Sequence, residues 1–187
     1  MKILNWNTEN ATPESKKVLD SGGIIIYPTD TVYGFGVDAN NLKAINRLNK
    51  IKNRQSPMSI IYYDLDTIKK WTTLLDSQFD IIKKNLLNAD TVIIPVKSNI
   101  VSEKILGPQN SLGIRMPNHQ FCTKLLNFYN KPITTTSVNR HGRKPLKTVA
   151  EIEYNFNEIE LFIEDGDMGG SPSSIYQFDK NILKKIR

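Results

Sequence analysis

Apolar residues along this chain recur in two rhythms, short β-branched runs and three-to-four-residue repeats, and their alternation predicts strands and helices mixed in one layered α/β domain. Ile24-Ile25-Ile26 follows a Gly-Gly pair and predicts a buried strand that ends at Tyr27, because Pro28 removes a backbone donor. Met58 to Tyr63, Thr91 to Val96, Leu112 to Met116, Lys131 to Thr136, Glu160 to Ile163 and Ser174 to Phe178 read as further strands. Lys2 to Asn5 reads as a short edge strand and Ile182 to Ile186 as a last one. Thr12-Pro13-Glu14 opens a helix that Gly22-Gly23 ends. Asn41 opens a second, with Leu42, Ile45, Leu48 and Ile51 recurring along one face; it leaves the helix before Pro57. Helical stretches are expected around Leu65 to Trp71 and Asp76 to Asn88, the latter with Phe79, Ile82 and Leu86 on one side. Asn118 is the expected cap of a helix to Tyr129 whose apolar side holds Phe121, Leu125, Leu126 and Phe128, and Thr148 caps a short helix to about Tyr154. Lys97 to Asn110 is expected to be a surface loop. No repeat or linker divides residues 1–187, so a single domain is expected.

Composition narrows the class. At 187 residues, with 39% hydrophobic and 24% charged, the chain can build a core without staples and is neither disordered nor fibrous. The apolar runs are too short to span a bilayer, and Asn5, Asn7 and Glu9 interrupt any leader, so a cytoplasmic protein without a membrane partner is expected. The one cysteine, Cys122, sits in an apolar stretch and reads as a buried structural thiol in a reducing compartment.

The net charge of +6 is unevenly spread. Residues 39–63 carry Lys43, Arg47, Lys50, Lys52 and Arg54 and no acid; residues 131–150 carry Lys131, Arg140, Arg143, Lys144 and Lys147 and no acid; residues 151–167 carry seven acids and no base. Two basic blocks suit a polyanion, a nucleotide's phosphates or RNA, and equally a solvated lysine-rich surface.

Four polar clusters fall where predicted elements end: Thr29 to Tyr33, Lys52 to Ser56, Ser137 to Arg143 and Asp165 to Ser174. Loops at strand ends meet in space even when distant in sequence, so one pocket can draw on all four. Lys52 and Arg54, two apart in extended backbone, would put both cations on one side as a phosphate clamp; a solvated helix terminus is the competing reading. Ser137 and Asn139 share a side and suit a ribose or base, or a plain turn. There is no G-x-x-x-x-G-K-[ST] loop and no G-x-G-x-x-G, and His119 and His141 stand apart from Cys122, so no zinc site is expected. Asp165-Gly166-Asp167 reads as a turn ahead of a metal ligand pair, and His119 as structural.

Pro28-Thr29-Asp30-Thr31-Val32-Tyr33-Gly34, then Lys52-x-Arg54, Pro57-Met58-Ser59, Arg115-x-Pro117, Thr136-Ser137-Val138-Asn139 and Pro172-Ser173-Ser174-Ile175, in this order and spacing, resemble the motif set of the YrdC-like threonylcarbamoyl-AMP synthases of the minimal bacterial type. The resemblance implies a twisted mixed α/β sheet flanked by helices, with a basic concave face. It implies formation of threonylcarbamoyl-adenylate and pyrophosphate from L-threonine, bicarbonate and ATP, toward threonylcarbamoyladenosine in tRNA. ATP would be a substrate accompanied by Mg2+, with no tightly bound cofactor, and tRNA or the threonylcarbamoyl-transfer machinery the partner. Matched position by position, Lys52 and Arg54 are the implied catalytic pair, and Thr31, Tyr33, Ser59, Arg115, Ser137 and Ser173 the implied substrate contacts. Lys52, Arg54, Ser56, Asn139, Thr148 and Arg187 are the implied ATP contacts.

Departures accompany the resemblance. Ser56 precedes Pro57-Met58 where the family often has lysine, and Arg54 to Pro57 is short by two residues. Val138 replaces a small alanine, and His141 stands where serine is common. Arg187 matches a family arginine that reaches the nucleotide and is the last residue, so the linker and extra domain of larger members are not expected. The rival expectation is a non-catalytic RNA-binding module of the same fold, which needs charge but has no use for Thr29, Thr31 and Ser137.

Overall fold

Successive side chains of a strand point to opposite faces of the sheet, and the run from Ile24 to Tyr27 sorts itself accordingly: Ile24 and Ile26 enter one core, Ile25 and Tyr27 the other. Leu161 and Ile163 likewise join the second core while Phe162 joins the first, which is why these segments read as unbroken apolar runs. The computed structural model describes residues 1–55 and 57–187. Its strands are β1 (Lys2–Asn5), β2 (Ile25–Tyr27), β3 (Gly34–Gly36), β4 (Ser59–Ile61), β5 (Thr91–Pro95), β6 (Ser111–Arg115), β7 (Ile133–Ser137), β8 (Leu161–Glu164), β9 (Ile175–Asp179) and β10 (Ile182–Lys185). The helices are α1 (Ala11–Asp20), α2 (Leu42–Lys52), α3 (Leu65–Trp71), α4 (Asp76–Leu87), α5 (Gln120–Tyr129) and α6 (Val149–Asn155).

The strands form one mixed sheet in the order β1-β8-β2-β3-β7-β4-β6-β5-β9-β10. Pairing is parallel for β1 with β8, β2 with β8, β4 with β6 and β5 with β9, and antiparallel elsewhere. Helices α2, α3, α4 and α6 pack on one face through Ile45, Leu48, Ile68, Ile82, Leu86 and Ile152. Helices α1 and α5 pack on the other through Leu19, Phe121, Leu125 and Leu126. Cys122 lies buried in that second layer, its thiol donating to the Pro28 carbonyl. Among the described residues no helix is long and apolar enough to cross a membrane.

Several local expectations are corrected. Gly34–Gly36 extends the presumed loop into a strand, held by backbone pairing to β2 and β7 without β-branched side chains. Leu42 is 52% and Phe128 54% exposed, so the buried stripe of α2 is Ala44, Ile45 and Leu48, and that of α5 turns toward Cys122 and Tyr129. Helix α1 begins at Ala11, upstream of Thr12, with no side-chain cap. His119 and not Asn118 caps α5, its Nδ1 accepting from the Phe121 amide; the Asn118 amide donates to Asp30 Oδ1 instead. The 97–110 stretch is more than surface loop, since it holds two 3-10 turns and buries Val101 ahead of them and Ile105 within the first.

Candidate active site

On the sheet face shared with α1 and α5, those helices cover Ile61 and Ile133 and leave the next positions of the same strands bare. There the side chains are small or hydroxylic: Gly34 on β3, Thr135 and Ser137 on β7, Ser59 on β4 and Thr91 on β5. A hollow of about 700 Å3, counting solvent at its mouth, stands over them. Gly113 of β6 keeps its floor flat, because a Cβ there would run into the Ser59 hydroxyl and lie 3.4 Å from Thr91. Gly113→Ala is therefore expected to cost about 1 to 3 kcal/mol by overpacking and to push Ser59 into the hollow; urea denaturation and substrate affinity check the two effects.

The loop after β2 makes one wall. Thr29 closes it as a hydroxyl turn, its Oγ1 donating to the Val32 carbonyl at 2.7 Å and accepting from the Thr31 amide at 3.2 Å. Arg115, 4% exposed, braces the loop from β6. Its Nη2 donates to Asp30 Oδ2 at 2.9 Å and Thr31 Oγ1 at 3.1 Å, and its Nε to the Ala89 carbonyl at 2.9 Å. A planar guanidinium fork with fixed donors suits such divided duty, and an ammonium does not.

The opposite wall is the segment before β9. Ser173 Oγ shares a 2.9 Å hydrogen bond with Thr91 Oγ1, and its carbonyl accepts from Arg187 Nε at 3.2 Å and Nη2 at 3.0 Å. Gly170 lets this segment meet the first wall, since a Cβ there would collide with the Thr31 carbonyl. Arg54 completes the rim, its Nη2 donating to the Pro57 carbonyl at 2.9 Å. Burial lowers the pKa of both Arg54 and Arg187, the latter further by the charge of Arg115, but a guanidinium remains charged at neutral pH. Three guanidiniums thus face one hollow, and none of its described lining residues is acidic.

Behind the hollow, Lys52 acts differently from the expected clamp. It is the last residue of α2, and Asn53 follows in the left-handed region with φ 51°, so Lys52 and Arg54 are not side by side on extended backbone. Lys52, 2% exposed, sends its Nζ to the carbonyls of Ser137 at 2.6 Å and Asn139 at 2.8 Å, and to Asn139 Oδ1 at 3.2 Å. Burial, with the Arg54 charge added, pushes its pKa down to about 7. Asn139 is equally committed: Oδ1 accepts from Ser137 Oγ at 2.6 Å, and Nδ2 donates to the carbonyls of Arg140 at 3.0 Å and Arg143 at 2.6 Å. Together they shape the turn that presents Ser137.

Of the residues singled out in the sequence, Thr31, Tyr33, Arg54, Ser59, Arg115, Ser137, Ser173 and Arg187 line the hollow. Lys52 and Asn139 stand behind it. The Tyr33 hydroxyl is already engaged, donating to the Gly166 carbonyl at 2.6 Å and accepting from the Asp165 amide at 2.7 Å; burial raises its pKa to about 12. Thr148 is the N-cap of α6 and half of a capping box with Glu151. Thr148→Ala is therefore expected to lose about 1 kcal/mol of stability, measured by urea denaturation, with nucleotide affinity unchanged. Ser56 lies outside the described residues. Asp165-Gly166-Asp167 bends at Gly166, φ 69°, with His119 Nε2 3.2 Å from Asp165 Oδ2 and Asp167 Oδ1 accepting from the Val149 amide. Sequence reasoning missed Thr91 and Gly113, whose only signal was small residues at alternate positions of strands that should otherwise be apolar.

A family model described as telomere recombination, for Sua5, YciO and YrdC, matches residues 17–187. A Photobacterium profundum protein named threonylcarbamoyl-AMP synthase is 31% identical over 175 residues, covering 89% of this chain and 94% of its own. Escherichia coli YciO superposes with a TM-score of 0.88 at 20% identity, over all of this chain and 92% of that one. Sua5 of P. abyssi, crystallised with L-threonine, superposes with a TM-score of 0.87 at 21% identity; all of this chain is covered but only 56% of that one, so the present chain spans little more than half of it. The two superpositions establish the shared fold.

Proposed function

The chain belongs to the Sua5/YciO/YrdC family, and from that premise we propose that it is a threonylcarbamoyl-AMP synthase, an ATP-using nucleotidyltransferase that serves tRNA modification. The observation that carries this reading is the meeting of Arg54, Arg115 and Arg187 with eight serine and threonine residues around one hollow whose described lining holds no acid. Such a lining suits two anions brought together beside a small hydroxylated amino acid. A relative of known fold was crystallised with L-threonine.

In this reaction the threonine amine attacks bicarbonate and water leaves, giving a carbamate. A carbamate oxygen then bonds to the α-phosphorus of ATP, and the bond to the departing pyrophosphate breaks with its electron pair going to pyrophosphate. Both partners of that second step are negative, so fixed positive charge matters more than a strong base. Thr31, Ser137 and Ser173 hold threonine at the floor and walls, with Ser59 below. Arg115 keeps Thr31 in place. Arg54 and Arg187 take the phosphates, and Lys52 with Asn139 hold the Ser137 turn rigid. Magnesium would arrive on the nucleotide's phosphates and neutralise part of their charge; among the described residues no three His, Cys, Asp or Glu side chains gather to hold a metal.

The mixed anhydride is labile, so an acceptor must consume it, and the exposed basic residues Arg140, Arg143, Lys144 and Lys147 suit tRNA or the transfer machinery in the cytoplasm. The experiment is pyrophosphate release by the purified protein. Release that needs ATP, threonine and bicarbonate together is the expected result, and equal release without threonine or without bicarbonate would remove the assignment.

A further inference from the structure

Arg54 borders a second hollow besides the one just described. This one holds about 730 Å3, its open mouth included, and is lined by Lys50 and Asn49 of α2, by Asn53, and by Lys104 from the 3-10 turn Glu103–Ile105. Lys104 is brought there from a segment some fifty positions away in sequence, which a merely solvated helix end would not require. None of the described lining residues is acidic, and among the described residues no carboxylate lies within ion-pair distance of Lys50 or Lys104. Asn49, also among the lining residues, is nine-tenths buried. The carboxyl end of a helix dipole opposes an anion here. Two of its last carbonyls, Asn49 and Lys50, are however already capped by the Arg54 and Asn53 amides, and three full charges outweigh the roughly half charge of the dipole.

We propose that this second hollow binds the pyrophosphate that the reaction releases, with Arg54 as the cation common to both sites, so that the leaving group passes from Arg54 to Lys50 and Lys104. The inference rests on the synthase reading for its purpose, but the binding it asserts is measurable without turnover. No new bond forms at this step; a tetravalent polyanion moves from one set of donors to the next. Two lysines and an arginine around one hollow with no acid among its described lining residues match a diphosphate better than a single phosphate, because its charge is spread over two phosphoryl groups.

Calorimetric titration with inorganic pyrophosphate decides it, using the full chain, the Lys50→Ala/Lys104→Ala variant and a control, Lys83→Ala/Lys84→Ala, which removes the same charge from exposed positions of α4. The first variant is expected to bind pyrophosphate roughly tenfold more weakly or worse, and the control within about twofold of the unaltered chain. Unchanged affinity in the first variant, equal loss in both variants, or no binding by the unaltered chain would overturn the proposal. Product inhibition then separates it from the synthase reading. A chain that makes the adenylate but whose inhibition by pyrophosphate ignores Lys50 and Lys104 defeats this inference alone. A chain that makes no adenylate yet loses pyrophosphate affinity in the first variant defeats the synthase reading alone.

Discussion

Arg115→Ala is expected to abolish measurable adenylate formation, a fall of a thousandfold or more, and to destabilise the fold by about 3 kcal/mol. Two consequences of one deletion combine here. The Asp30 carboxylate loses its 2.9 Å partner in a setting where the arginine is 4% exposed. Breaking such a pair from one side leaves an uncompensated charge, though Asp30 keeps partial solvent contact and the Asn118 amide, which holds the penalty to the lower end of its usual range. The Thr31 hydroxyl also loses the donor that fixes it at 3.1 Å, and Thr29 a second contact at 3.4 Å, so the substrate wall slackens. Arg115→Lys should recover little, because one ammonium cannot reach Ala89, Asp30 and Thr31 along three directions. The double change Arg115→Met/Asp30→Asn should recover most of the stability and none of the activity, since removing both charges together eliminates the unpaired one. Urea denaturation and pyrophosphate release on the same preparations check both halves; full activity in Arg115→Ala would contradict the bracing role.

The second large effect is expected at Arg54. Arg54→Ala should lower kcat/KM for ATP by about a hundred- to a thousandfold, with threonine affinity and urea midpoint close to those of the unaltered chain. Arg54 sits on the rim of the hollow and donates to the Pro57 carbonyl, while it is Arg115 that braces the Thr29–Thr31 loop. Its charge is aimed where phosphates would lie, and it does little for the core. Arg54→Lys should recover part of the loss, because a point charge replaces some of what the fork supplies. Threonine affinity falling in parallel with ATP affinity would place Arg54 on the wrong substrate.

The two cores were legible because alternation over Ile24 to Tyr27 and over Leu161 to Ile163 needs no knowledge of neighbours. The meeting of Thr31, Arg115 and Ser173 was legible only as loops at strand ends, since what joins them is strand order: β6 lies beside β5, and β5 beside β9. No local pattern encodes that order. Strand β3 escaped notice because Gly34 and Gly36 carry no strand propensity and are held by partners more than six residues away on one side and a hundred on the other. Lys52 was misplaced for a related reason. Its side chain satisfies carbonyls at Ser137 and Asn139, 85 and 87 residues onward, and the left-handed turn at Asn53 separates it from Arg54. A pair of cations two apart looks like a clamp until the backbone between them is known. Leu42 and Phe128 show the lesser form of this error, where an apolar repeat runs one position past the face that packs.

The central claim is that residues from Thr31 to Arg187 enclose one site for an amino acid and a nucleotide. A crystal structure of the protein with L-threonine and a non-hydrolysable ATP analogue tests it most directly. Threonine is expected against Thr31, Ser137 and Ser173, with the α-phosphate beside it and the phosphate chain at Arg54. Either ligand bound on a different face of the sheet, or the two bound too far apart for a carbamate oxygen to reach the α-phosphorus, would contradict it.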